Sequence, residues 1–189
     1  NRRREVTAVV SREVGAGALA HGPRGEGALS FRHVLVQEAV YRSAPKRLRA
    51  ELHERFARRL DQVYPDLAEL DEFVGYHLEQ AHRLHTELRE TDELAEEAGR
   101  RLGAGGTRAL RRGDVHAAGN LLERASSLLA VGHPLRGELL CELGLVRVAA
   151  QDSDGAMTVL TEAIAGARET DDARIEWRAI APGLLGIRQ

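Results

Sequence analysis

Residues 102–125 read LGAGGTRALRRGDVHAAGNLLERA, and residues 140–163 read LCELGLVRVAAQDSDGAMTVLTEA. Placed one above the other, Leu102, Gly106, Ala118, Leu122 and Ala125 recur as Leu140, Gly144, Ala156, Leu160 and Ala163, each pair 38 positions apart. In both copies two runs of helical period flank a polar turn, Arg112-Gly113-Asp114 in the first and Gln151-Asp152-Ser153-Asp154 in the second. This pattern predicts antiparallel helix–turn–helix hairpins stacked in series. The small residues have a packing reason, because two helices cross closely only where a side chain is no larger than hydrogen or methyl. Crossings are therefore expected near Gly106 with Ala118 and near Gly144 with Ala156.

Upstream, Leu48, Leu52, Phe56 and Leu60 stand at i, i+4 spacing, with Arg47, Arg49, Arg55, Arg58 and Arg59 off that line. An amphipathic helix over residues 46–63 follows. Beyond Pro65, a helix to about Leu88 is predicted with Leu67, Leu70, Phe73, Val74, His77, Leu78 and Ala81 on one face. Glu69, Glu72, Glu79 and Glu87 are expected to be more exposed. From His33 to Ser43, the positions of Val34, Leu35, Ala39 and Val40 predict another helix, which Pro45 ends or restarts. Before it, His21-Gly22-Pro23-Arg24-Gly25-Glu26-Gly27 is too rich in Gly and Pro for a helix. The flanking Ala18-Leu19-Ala20 and Ala28-Leu29-Ser30-Phe31 suit the two strands of a small β-hairpin. A short helix over residues 5–20 is expected from Val6, Val9, Val10 and Val14, stopped by the glycines from Gly15.

Composition agrees with an all-α chain: aromatics are 4% of the 189 residues, hydrophobic residues 43%, and Ala, Leu, Arg and Glu dominate. Cys141 is the single cysteine, so no intramolecular disulfide framework exists and a reducing, cytoplasmic setting is expected. No uncharged apolar run approaches the roughly 18–20 residues that span a bilayer, and the Arg-rich start lacks the apolar block of a signal peptide. With Asn1 at its start and a helical pattern still running at Gln189, the chain reads as a segment of something longer. The formal charge of −2 hides an asymmetry: residues 1–59 carry 13 basic and 6 acidic groups, and residues 60–189 carry 14 and 23. Such a split serves mutual attraction of two parts of one molecule, or contact with nucleic acid.

The spacing of Gly106, Ala118 and Ala125 is similar to the tetratricopeptide repeat. Both units lack that family's early Trp; its usual Tyr positions hold Ala109 and Arg147, and the period exceeds the usual ~34 residues, so the units are atypical. The stretch from Phe31-Arg32-His33-Val34-Leu35 through Gln37-Glu38-Ala39-Val40-Tyr41, followed by Arg49-Ala50-Glu51-Leu52-His53, resembles STAND-type signalling ATPases. Gly75-Tyr76-His77-Leu78-Glu79-Gln80-Ala81 and Arg108-Ala109-Leu110-Arg111-Arg112-Gly113-Asp114 extend the resemblance. It is closest to bacterial regulators associated with adenylate/guanylate cyclase or LuxR-type output domains. The resemblance implies a partial winged-helix segment with its β-hairpin over residues 1–45, connecting amphipathic helices over 46–90, and a tetratricopeptide-like helical-hairpin solenoid over 91–189. It further implies that His33 contacts a nucleotide phosphate in the closed form of the intact regulator. ATP or ADP would belong to that regulator and not to this segment. Partners would be another protein or domains of the same chain, with DNA reached only through the intact regulator.

No catalytic residue is predicted. A phosphate-cradling loop needs glycines followed by Lys and Ser/Thr, and Gly103-Ala104-Gly105-Gly106 instead lies inside a helical pattern far from Lys46, the only lysine. His77, His82 and His85 fall within nine residues, but the first two stand about 140° apart around a helix, so no metal site is expected. His53-Glu54 lacks the second histidine of a zinc-protease helix. Glu96-Glu97 and Asp171-Asp172 read as helix-surface and turn residues, and Cys141 as a buried thiol on a repeat's inner stripe. Two other readings stay open on these residues. One is a stand-alone tetratricopeptide adaptor, and the other a DNA-binding regulator that uses residues 1–60, whose basic groups include Arg2-Arg3-Arg4.

Overall fold

A computed structural model describes residues 19–21, 29–31, 34–65 and 67–186. Two three-residue strands, β1 (Leu19–His21) and β2 (Leu29–Phe31), pair antiparallel with Leu19 opposite Phe31. All other regular structure among the described residues is helical. The α-helices are α1 (Val34–Ser43), α2 (Lys46–Val63), α3 (Asp71–Glu87), α4 (Leu94–Arg111), α5 (Val115–Ser127), α6 (Pro134–Ala149), α7 (Ser153–Glu169) and α8 (Ala173–Gly186), with a 3-10 turn at Ala68–Leu70. Apart from Leu19 and Ala20, which lie in β1, the helix expected over residues 5–20 falls outside the described residues.

From α2 onward each helix packs on the next, and α4 also touches α6 as α6 touches α8. The core is accordingly a row of three clusters. Ala57 and Leu60 of α2, Val74, Leu78 and Ala81 of α3, and Leu94 and Ala98 of α4 form the first. Leu102 and Ala109 of α4, four residues of α5, Leu129, and Leu139, Leu143 and Val146 of α6 form the second. Leu140 and Cys141 of α6, Leu160, Ala163 and Ala167 of α7, and Ile175 and Ala179 of α8 form the third. Helices α4 and α6 thus face both ways. Leu139 and Leu140, adjacent in sequence and about 100° apart around the helix, belong to different clusters.

The turns repeat one device. The amides of Glu90, Asp114, Asp152 and Asp172 donate to the carbonyls of His85, Ala109, Arg147 and Ala167, five residues back, at 3.0, 3.0, 2.9 and 2.8 Å. The residue before each amide is left-handed: Arg89 (φ 59°), Gly113 (77°), Gln151 (60°) and Asp171 (54°). This closure satisfies carbonyls orphaned at the helix end. Asp114, Asp152 and Asp172 then accept from the amides of Ala117, Gly155 and Ile175 at 3.0, 2.9 and 3.1 Å, so the residue that ends one helix caps the next.

Two expectations need correction. The i, i+4 line on α2 is buried at one end only: Leu48 is exposed, Leu52 and Phe56 are half-buried, and Leu60 is buried together with Ala50 and Ala57, which lie off the line. Four residues turn the helix by about 400°, so a strict i, i+4 line drifts about 40° per step and passes from solvent at Leu48 to the core at Leu60 within three steps. Phe73, expected on the inner face of α3, is 50% exposed, because Val74, Leu78 and Ala81 already fill the contact with α2 and α4.

Candidate functional site

All ten repeat-packing positions are buried: Leu102, Gly106, Ala118, Leu122, Ala125, Leu140, Gly144, Ala156, Leu160 and Ala163. A Cβ on Gly106 would stand 2.8 Å from Leu122 Cγ, and one on Gly144 would collide with Leu160 in the same way. The residue meeting each glycine is thus the leucine four positions after the expected alanine. Sequence reading passed over two further close approaches. A Cβ on Gly75 would come 2.9 Å from the Leu102 amide nitrogen, and one on Gly103 2.6 Å from Leu139 Cδ2.

Polar contacts bind the first helices of successive hairpins side by side. Arg58 reaches Glu97 at 2.5 Å and Arg101 reaches Asp61 at 2.8 Å, joining α2 to α4. The Thr107 hydroxyl donates to Glu142 at 2.5 Å, joining α4 to α6, and Arg174 pairs with Glu138 at 2.5 Å, joining α6 to α8. Asp71, buried at the start of α3, accepts from Arg101 and Arg108, each at 2.7 Å. Two guanidinium groups offset the desolvation of its carboxylate. Lys46–Glu87, Arg47–Glu90 and Arg58–Glu97 each join a basic residue of 1–59 to an acidic one of 60–189. Much of the basic face of α2 is therefore turned to carboxylates of the same molecule.

A relay of three side chains ties α1 to α2 and α3. The Tyr41 hydroxyl lies 2.9 Å from His53 Nε2, and His53 Nδ1 lies 2.7 Å from His77 Nδ1. One imidazole must donate an N–H and the other accept on a lone pair, which requires at least one neutral ring. Both histidines have their pKa lowered to about 4, first by burial and then, for His53, by the nearby Arg83 and Arg49 charges and, for His77, by His53. Phe56 and Tyr76 pack edge-on against the His77 ring, with centroids 4.5 and 5.2 Å away. Five of the seven Phe, Tyr and Trp residues fall between Tyr41 and Tyr76, the sequence signal that could have drawn attention here.

The other candidates go to structural duties. His82 and His85 bond to Asp92 and Glu90 at 2.9 and 2.8 Å, so with His77 on His53 the three histidines point to three different partners. Among the described residues no group of three or more His, Cys, Asp or Glu side chains could hold a metal ion. Gly103 and Gly106 lie within α4 against Leu139 and Leu122, and Lys46 pairs with Glu87. Glu96 and Glu97 pair with Arg100 and Arg58, and Asp172 caps α8. Cys141 is buried, which raises its thiol pKa. No helix among the described residues is long and apolar enough to cross a membrane. His33 and Arg2-Arg3-Arg4 lie outside the described residues. No family model, curated protein or solved structure matches the chain.

Proposed function

We propose that the chain is a non-catalytic docking segment of a STAND-type signalling ATPase, in which tetratricopeptide-like hairpins follow the end of a winged-helix domain and bind another protein or another domain of the same chain. One observation carries this reading. Three of the sequence stretches that resemble the family each contribute one residue to the same relay: Tyr41 from the first, His53 from the second and His77 from the third. Residues far apart in sequence that share both a family resemblance and one contact point to a junction the family uses. The elongated row of clusters supports a docking role, because a stacked array offers long continuous sides without needing a pocket.

The coding sequence around this segment supplies the first test. A strand, a Gly-rich loop with Lys and Ser/Thr, and a helix encoded upstream support the reading; a start codon directly before Asn1 would favour the stand-alone adaptor. The second test titrates this chain, by calorimetry, against the separately produced upstream nucleotide-binding domain. Saturable binding that weakens with salt is expected from the basic and acidic halves of the chain. Absence of binding, together with a sequence-selective shift of duplex DNA, would transfer the function to the DNA-binding reading.

A further inference from the structure

Two aromatic rings of the chain each have one of its own arginines over them. Arg49 lies over Tyr41, its guanidinium carbon 5.0 Å from the ring centre, and Arg124 approaches Tyr76 at 6.0 Å while its Nε donates to Glu79 at 3.1 Å. The second arrangement holds a guanidinium between a ring face and a carboxylate on the same helix. A second ring stands one turn earlier, with carboxylates before it and not after it. Phe73 is 50% exposed beside Tyr76 at 44%, and among the described residues no cation stands over its ring. Glu69, four residues before Phe73, and Glu72, four before Tyr76, carry no ion-pair partner among the described residues. Glu72 is near enough to Arg124 to reinforce its charge without bonding to it.

We infer that the outer face formed by the 3-10 turn (Glu69) and α3 (Glu72, Phe73 and Tyr76) docks an arginine-bearing segment of a partner protein, its guanidinium on the Phe73 ring between the two carboxylates and a neighbouring apolar side chain against the exposed part of Tyr76. Charge selects this occupant. An acidic segment would be repelled by Glu69 and Glu72, and a purely apolar one would cover both carboxylates without a counter-charge. Lysine fits less well, since an ammonium cannot lie flat on a ring while bonding to flanking carboxylates. The inference rests on the docking reading above and specifies its surface and chemistry.

The test titrates the whole chain with a helical Ala-Leu-Arg peptide carrying Arg and Leu four residues apart, and with the same peptide bearing Lys or Glu in place of Arg. Ring resonances of Phe73 and Tyr76 are followed by NMR. The arginine peptide is expected to shift them, the lysine peptide to bind more weakly and the glutamate peptide not at all. Phe73→Ala or Glu72→Gln should each weaken the arginine peptide about threefold and the pair of changes about tenfold, in line with a partly exposed cation–π contact and ion pair. Both side chains lie outside the core, so the melting temperature should stay unchanged. Binding that ignores both substitutions, equal affinity for the arginine and lysine peptides, or binding of the glutamate peptide would each overturn the inference. None of these outcomes touches the docking reading, which the titration against the upstream domain decides separately.

Discussion

A glycine inside a helix costs about 0.5–1 kcal/mol relative to alanine, a cost that is offset only where a close contact would exclude alanine. Gly144 and Gly166 separate the two cases. A Cβ on Gly144 would meet the side chain of Leu160, whereas one on Gly166, in α7, would meet nothing within 4 Å. Gly144→Ala is therefore expected to destabilise the chain by about 1–3 kcal/mol through overpacking, and Gly166→Ala to stabilise it by about 0.4–1 kcal/mol. Urea denaturation of the two variants checks the opposite signs; the same sign for both would remove the packing explanation. Gln151 offers a third case, because it holds the left-handed conformation (φ 60°) that Gly113 holds one repeat earlier. Gln151→Gly should raise stability by about 0.5–1 kcal/mol by relieving that backbone, measured as a higher urea midpoint. The recurrence of Gly106 as Gly144 was legible in sequence because close crossing forces it. The leucine that meets each glycine was not, since its position depends on the crossing angle, which one helix's sequence does not encode.

Helix boundaries followed from local chemistry, and helix faces followed from it only in part. Pro45 and the polar turns at Gly113-Asp114 and Gln151-Asp152 mark ends that any neighbour would have to respect. Which side of α3 is buried depends instead on how α2 and α4 approach it, so the exposure of Phe73 and the meeting of His53 with His77 were beyond a reading of periodicity. Asp114→Ala and Asp152→Ala should each cost about 1 kcal/mol, because each removes the acceptor for a first-turn amide. The histidine relay gives the junction of α1, α2 and α3 a pH dependence whose sign can be worked out. In the unfolded chain an imidazole protonates near pH 6.5, whereas in the fold His53 and His77 do so only near 4. The relay's contribution is fully present above pH 6.5 and is lost as pH falls toward 4, because over that window only the unfolded state gains protons. The unfolding free energy from urea titration should fall between pH 7 and pH 5, by about 3–4 kcal/mol for the pair, and His53→Asn with His77→Asn should flatten that slope. A double variant with the wild-type slope would show that other groups set it.

At the scale of the whole molecule, the decisive feature is that the core is a row and not a ball. The first cluster draws on α2, α3 and α4, and the third on α6, α7 and α8, with no residue in common. They communicate only through the second cluster, because α4 contributes to the first and second and α6 to the second and third. In such an array stability is approximately a sum of nearest-neighbour terms, and damage at one end does not have to be felt at the other. The polar links between first helices do not alter this, since each joins adjacent hairpins only: Arg58 to Glu97, Thr107 to Glu142, Arg174 to Glu138. Gly144→Ala makes the test, because its overpacking lies against Leu160 in the third cluster. Native-state hydrogen exchange should show amides of α6, α7 and α8 exchanging faster than in the wild type, while those of Val74, Leu78 and Ala81 in α3 keep their protection. A single cooperative core would instead lower protection equally from α2 to α8, because every slow amide would exchange through the same global opening. Uniform loss of protection would show that α4 and α6 couple the clusters into one unit; loss confined to the C-terminal helices would establish the chain as an array whose hairpins yield one at a time.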